Sequence, residues 1–155
     1  MSAARHHFAA VLKRMPYLLQ AAYYVYRFFQ PKYTVGVVGI IFNEAKQVLL
    51  VEHIFHPRIP WGLPGGWVNF NEDPSQAVVR ELQEELGLSV TCKQIVHAEK
   101  TQFHHLDIAF TCQVSNDVNT LSRELLSYRY WPLDQLPRLH GFHYRAIMRA
   151  SEEVC

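Results

Sequence analysis

The chain has 155 residues, 49% of them apolar and 19% charged, with a formal net charge of +1 and three cysteines. That length and balance suit one domain with one sizeable core and exclude a disordered chain. The near-zero charge gives no general case for nucleic-acid binding. Three widely spaced cysteines without a CxxC exclude a disulfide framework or a cysteine zinc site and point to a reducing, cytoplasmic setting.

The charge is unevenly spread. Arg5, Lys13, Arg14, Arg27 and Lys32 precede the first acid, Glu44, so a basic leading segment is followed by an acidic body. Residues 3–29 read as one long helix, apolar over a wide face. Its richest part, "MPYLLQAAYYVYRFF" (15–29), is too short for a spanning helix and is interrupted by Pro16, Gln20 and Arg27. It also lacks the small-residue cleavage site of a signal peptide. Residues 1–31 are therefore expected to pack on their own domain, to join a second copy in a homodimer, or to touch a membrane surface through residues 1–30. Basic and aromatic side chains suit the last of these.

"YTVGVVGIIF" (33–42) is β-branched and apolar and reads as a buried strand. "QVLLVEHI" (47–54) reads as a second strand, paired with the first as a hairpin through "NEAK". Residues 56–66 are rich in proline and glycine and read as a loop with short extended pieces. A helix follows, with Asp73 as N-cap, Pro74 at the first position, Gln76 three after the cap and Gly87 as its end. Val78, Val79, Leu82 and Leu86 are expected to face the core. Strands are expected at 89–100, 103–114 and near 123–131, a short turn at 132–137 and a closing helix over 141–152. Helix, strands, helix, strands, helix implies a mixed α/β fold, with a mixed central sheet covered by helices on both faces and an extra N-terminal helix.

The helix after the loop carries Glu81, Glu84 and Glu85 at i, i+3 and i+4, where like charges repel by a few tenths of a kcal/mol per pair. Arg80 reaches Glu84 at i+4, but one arginine does not neutralise three acids. Converging carboxylates on a rigid element suit a hard divalent cation, and Mg²⁺ takes its remaining ligands from water and phosphates. The arrangement therefore points to phosphate chemistry. Histidines are plentiful, His53 with His56 and His104 with His105 among them, but no CxxC or HExxH accompanies them, which argues against structural zinc.

The surroundings of the acids sharpen the reading. Gly66 is followed after five residues by Glu72, then after seven by Arg80-Glu81-Leu82, then by Glu84-Glu85 and Gly87-Leu88. This is a complete match to the Nudix box, G-x5-E-x7-R-E-U-x-E-E-x-G-U, and the chain resembles the Nudix hydrolases. "WGLPGGWV" resembles the family's loop before the box, "YTVGVVGIIFNEAKQVLLVEH" its opening strands, and "YRYWPLDQLP" its closing segment. The likeness covers nearly all of 33–150 and leaves the N-terminal helix outside, so 32–155 is expected to be the hydrolase domain.

The resemblance implies hydrolysis of a pyrophosphate bond in a nucleoside diphosphate linked to another moiety, with Mg²⁺ or Mn²⁺. It implies Glu81, Glu84, Glu85 and the carbonyl of Gly66 as metal ligands. It pairs Glu72 with Arg80 as the supporting tie between loop and helix. The base that accepts a proton from water is either a box glutamate or a later acid. Glu124 is the best later candidate, and Asp107 is more plausibly structural. Asn69 and Asn71 depart from a common Glu-x-Gly step, although asparagine tolerates the left-handed backbone that glycine gives. Arg58 and His56 precede the box and can touch phosphate. Trp61, Trp67, Phe103 and Tyr128 can stack on a base or pack in the core. The expected partner is a nucleotide-derived small molecule, with no specific nucleic acid. The marks of ADP-ribose, NADH and coenzyme A hydrolases are absent, so nucleotide sugars, CDP-alcohols, ADP-ribose and (d)NTPs all stay open. The alternative is a non-catalytic nucleotide-binding module, which would have no need of the intact acid set.

Overall fold

The computed structural model describes His6 and residues 16–154. The chain divides into two units, residues 1–32 and 33–155. In the first, helix α1 (Pro16–Phe29) has no acid in its first turn and Arg27 in its last. Lys32 Nζ lies 5.6 Å from the centre of the Phe28 ring. The rest of the helix expected from residue 3, His6 apart, lies outside the described residues. No helix among the described residues is long and apolar enough to cross a membrane.

The second unit has seven strands: β1 (Thr34–Ile40), β2 (Val48–His53), β3 (Trp61–Gly62), β4 (Gly65–Trp67), β5 (Val90–Gln102), β6 (His105–Val114) and β7 (Leu125–Trp131). Helix α2 (Pro74–Leu86) follows β4, and helix α3 (Gly141–Val154) follows a short 3-10 turn at Leu133–Gln135. One sheet has the order β4-β1-β6-β5 and is mixed, since β1 runs parallel to β6. The other is antiparallel, β3-β2-β7. The mixed α/β class expected from the sequence is found, with the sheet in two pieces.

Two apolar clusters explain the continuous apolar runs in β1 and β2. Val37, Ile41, Leu49 and Val51 pack with Val78, Leu82 and Leu86 of α2. Their neighbours Val38, Ile40, Val48 and Leu50 pack with Phe142, Ala146 and Ile147 of α3. Strands covered on both faces have no room for a polar alternation.

The expected β1–β2 hairpin forms only at its turn, where the Asn43 N–H bonds to Gln47 O and the Leu49 N–H to Ile41 O. The two strands lie in different sheets and share a single bridge, Phe42 to Val48. Both edges of β1 are taken, by β4 and β6, so β2 pairs with β3 and β7 instead. Val79 is also not in the core: it is 36% exposed, and Ala77 is buried beside Val78. One residue is 100° of helix rotation, which carries position 79 past the buried arc. Cys92 and Cys112 face each other across β5 and β6 as free thiols, sulfurs 3.7 Å apart.

Candidate active site

Asp73 starts α2 from an extended backbone and accepts the Ser75 N–H at 2.8 Å. Gly87 ends it at φ 65°, and its N–H bonds back to Gln83 O. These caps fix the register in which the three glutamates are presented. They do not share one environment. Glu84 is exposed, Glu81 is half-buried, and Glu85 is buried at 8% exposure in line with the core residues.

Glu85 Oε2 accepts the Gly65 N–H at 3.0 Å. Burial pushes its pKa up to about 8, against that hydrogen bond, and the charges of Glu81, Glu124 and Glu84 add to the rise. Glu124 sits on the turn before β7, where its carbonyl accepts the Ile54 N–H at 3.0 Å. The fold thus brings a fourth acid, from a distant segment, to the helix that carries the other three. On the loop side, Gly66 lies directly on Glu81, since a Cβ there would come within 2.5 Å of the Glu81 carboxylate carbon.

Arg80 ties the loop to the helix. It binds Glu72 through two nitrogens, at 2.8 and 3.0 Å, and donates to Glu81 at 2.7 Å and Glu84 at 3.4 Å. It also donates to the Trp67 carbonyl at 3.0 Å. Asn69 donates its N–H to Glu72 at 2.8 Å, and its amide oxygen, turned toward Arg80, lies 3.1 Å from Nη2. Asn71 takes the left-handed backbone, at φ 62°. The departure "NFN" is therefore built into the same tie, with Asn69 serving Arg80.

The Arg80 hydrogen bonds, followed by the Asn69 N–H, hold the Glu72 pKa down, from 4.5 to about 2. Stability from this pairing is complete above about pH 4.5 and is lost as pH falls toward 2. Glu72→Gln is accordingly expected to melt below the parent chain at pH 7. The difference should close near pH 2, as thermal melts across that range would show.

The four acids outnumber the one arginine among them, and all their donors are hard oxygens. They fit a divalent cation such as Mg²⁺ or Mn²⁺. As they stand, Glu81 leans on Arg80 and Glu85 on the Gly65 N–H. Among the described residues no three acidic, histidine or cysteine side chains form a ready-made ligand set. The carboxylates must turn toward a common point to share an ion.

On the α3 side of the sheet lies a cavity of about 380 Å³, lined by none of the four acids. It is linked to them along the chain, through the end of β2 and the segment that follows Trp61. His53 lines it next to Ile54, the partner of Glu124, and Gly62 lines it just before Gly65 and Gly66. Trp67 is exposed, and its ring packs on His105 of the cavity wall, centroids 4.7 Å apart. Trp61 and Asp107 line the cavity, with Asp107 bonded to Thr101 and His105. Phe103 and Tyr128 do not line it: Phe103 stacks on His104 at the β5–β6 turn, and Tyr128 is exposed on β7. Arg58 lies in an exposed loop recess with His56 and His140. His140, His143 and Arg145 also line the cavity and are not among the residues expected from the sequence. His140 and His143, three residues apart at the start of α3, were the available signal.

Comparison with known proteins adds to this geometry. A family model described as NUDIX domain matches residues 32–150. "Nudix hydrolase 8" of Arabidopsis thaliana is 30% identical over 130 residues, covering 78% of this chain and 35% of that protein. The chain spans between about a third and two thirds of the length of the curated relatives it matches. The crystal structure of a MutT protein from Methanosarcina mazei Go1 superimposes with a TM-score of 0.67 at 28% identity, covering 81% of this chain and 98% of that one. A crystal structure of an ADP-ribose pyrophosphatase from Streptococcus suis gives 0.63 at 26% identity, covering 79% and 92%.

Proposed function

We propose that this chain, which belongs to the Nudix hydrolase family, cleaves a pyrophosphate bond in a nucleoside diphosphate linked to another moiety. Water is the nucleophile and phosphorus the centre attacked. The observation that carries the reading is the gathering of Glu81, Glu84, Glu85 and Glu124, one of them buried, at the helix that the glycine loop packs against. Relatives named as pyrophosphatases, such as that from Streptococcus suis, support it.

Glu81, Glu84, Glu85 and the Gly66 carbonyl would hold Mg²⁺ or Mn²⁺, which when bound neutralises charge on the phosphoryl oxygens and lowers the pKa of water. Arg80 keeps its charge at any working pH. By gripping Glu72 and the Trp67 carbonyl it holds the glycine loop against α2, so the two sources of oxygen stay in register. Glu124 is the carboxylate we assign as proton acceptor for the attacking water, because it approaches Glu85 from a separate element. The cavity takes the part of the substrate beyond the bond that breaks. A panel of nucleoside diphosphate derivatives, incubated with Mg²⁺ or Mn²⁺ and read by mass spectrometry, should yield two phosphate-bearing products from at least one compound. Binding without cleavage across the panel would favour the non-catalytic module.

For residues 1–30 we propose a membrane-surface contact. Helix α1 has six aromatic rings, Arg27 near its end and no acid. Such a helix suits the headgroup region of anionic lipid. Phe28→Glu with Phe29→Glu in the full chain should abolish flotation with anionic liposomes. Equal flotation of both proteins would leave packing or a second copy as the role of α1.

A further inference from the structure

The wall of the cavity contains side chains that the hydrolytic step leaves unused, and one of them is unusually constrained. His143, in the first turn of α3, reaches to the loop between β3 and β4 and accepts the Leu63 N–H at Nδ1, 2.8 Å away. A nitrogen that accepts carries no proton, so the neutral ring carries its proton on Nε2 and has one donor to offer. Gly62 makes room for this ring: a Cβ there would lie 3.1 Å from two of its atoms.

His143 is surrounded by further histidines. The rings run His53, His56, His140, His143, with successive centroids 5.5, 6.4 and 6.3 Å apart. Burial first, then the charge of His140, holds the His143 pKa down to about 4, with His53 and His56 acting the same way and Asp107 opposing. The donating tautomer is therefore kept through neutral pH. The carboxylates of the same wall are already engaged. Asp107 accepts from Thr101 and meets His105, while Glu99 accepts two bonds from Arg145 and meets His97. A ligand thus finds a fixed donor and no free carboxylate.

We propose that His143 is a specificity residue, whose Nε2–H donates to an oxygen acceptor on an uncharged, oxygen-rich moiety of the substrate. The cavity correspondingly disfavours a cationic moiety. Two sources supply such oxygens, the hydroxyls of a sugar or the carbonyls of a base. This rests on the hydrolase reading above, so its test is a binding measurement that needs no turnover.

The probes are glucose 1-phosphate, uridine 5′-monophosphate and phosphocholine, with ribose 5-phosphate as the control for the base, titrated into the full-length protein by calorimetry. At least one of the first two should bind roughly tenfold more tightly than phosphocholine; glucose 1-phosphate binding identifies sugar hydroxyls, and preference for uridine 5′-monophosphate over ribose 5-phosphate identifies the base carbonyls. His143→Asn keeps an acceptor for the Leu63 N–H but has no donor at the outer position of Nε2. It should weaken the preferred probe about five- to tenfold, the range of one hydrogen bond. His143→Gln keeps a donor at the outer position and should recover most of that loss. The ring ¹⁵N signal of His143 in the wild-type chain gives a readout free of any folding defect. It should report a protonated Nε2 at pH 7 and move when the preferred probe is added. The proposal is overturned if phosphocholine binds as well as the others, if neither oxygen-rich probe binds, or if His143→Asn binds like the parent. Normal discrimination by His143 without cleavage of any diphosphate would overturn the hydrolase reading alone.

Discussion

Glu85→Gln is expected to cut turnover by roughly 10²–10⁴-fold while the fold persists, as steady-state rates and circular dichroism would show. Gln has nearly the shape of Glu, and its amide oxygen can still accept the Gly65 N–H that Glu85 holds at 3.0 Å. What disappears is the one buried ionisable group of the cluster. Glu84→Gln should cost much less, because Glu84 is exposed and meets Arg80 only at 3.4 Å. An unchanged rate in Glu85→Gln would sink the assignment of the acid cluster.

The same substitution has a second expected effect, on stability. The Glu85 pKa rises from 4.5 to about 8 on folding, mainly through burial and secondarily through its acidic neighbours. Between those values the folded chain binds more protons than the unfolded one, so the stability of the metal-free protein falls as pH rises through that window. Glu85→Gln removes this dependence. The metal-free variant should therefore melt above the parent at pH 8 and alongside it at pH 4. Mg²⁺ stabilises whichever folded chain binds it, and should raise the parent's melting temperature at pH 8 more than the variant's.

How far the sequence disclosed the site depended on how local each signal is. Asp73, Pro74 and Gly87 cap α2 as their types and spacing require, because capping involves only adjacent backbone. The pairing of Glu72 with Arg80, eight residues apart, was legible only through the family resemblance. The inward turn of Glu85 was not drawn from the sequence, although a signal existed. It lies seven residues after the buried Val78, only about 20° away around the helix. Counting only i, i+3 and i+4 grouped it with Glu81 and Glu84 as one polar side. The hairpin stopped at its turn for a different reason. Residues 41–47 join β1 and β2 and close on themselves, but the partners of β1 are β4 and β6, and no local pattern announces that competition. The histidine wall was least legible of all. His56 meets His140, and His53 and His143 both close on Gly62, only because β2 and α3 converge there.

Gly65 and Gly66 are adjacent, and their replacement by alanine is expected to fail in opposite ways. At Gly65 the backbone has φ 148°, and an added Cβ would stand 2.1 Å from the Val37 carbonyl oxygen and 2.7 Å from the Val38 Cα. Both are backbone atoms of β1, held by pairing to β4 and β6, so neither can rotate aside. Strained φ and overpacking each cost on the order of 1–3 kcal/mol, so Gly65→Ala should lose about 3 kcal/mol or more in denaturant unfolding. At Gly66 the neighbours of an added Cβ are the carboxylate atoms of Glu81, 2.5 to 2.7 Å away, at the end of a flexible side chain. Glu81 can move, at the cost of its 2.7 Å contact with Arg80 and its place among the acids. Gly66→Ala should therefore stay folded, within about 1 kcal/mol of the parent, and lose most of its turnover. A fully active Gly66→Ala would show that the close approach of loop and helix is not part of the chemistry. A Gly65→Ala as stable as the parent would show that β1 can yield where its pairing on both edges says it cannot.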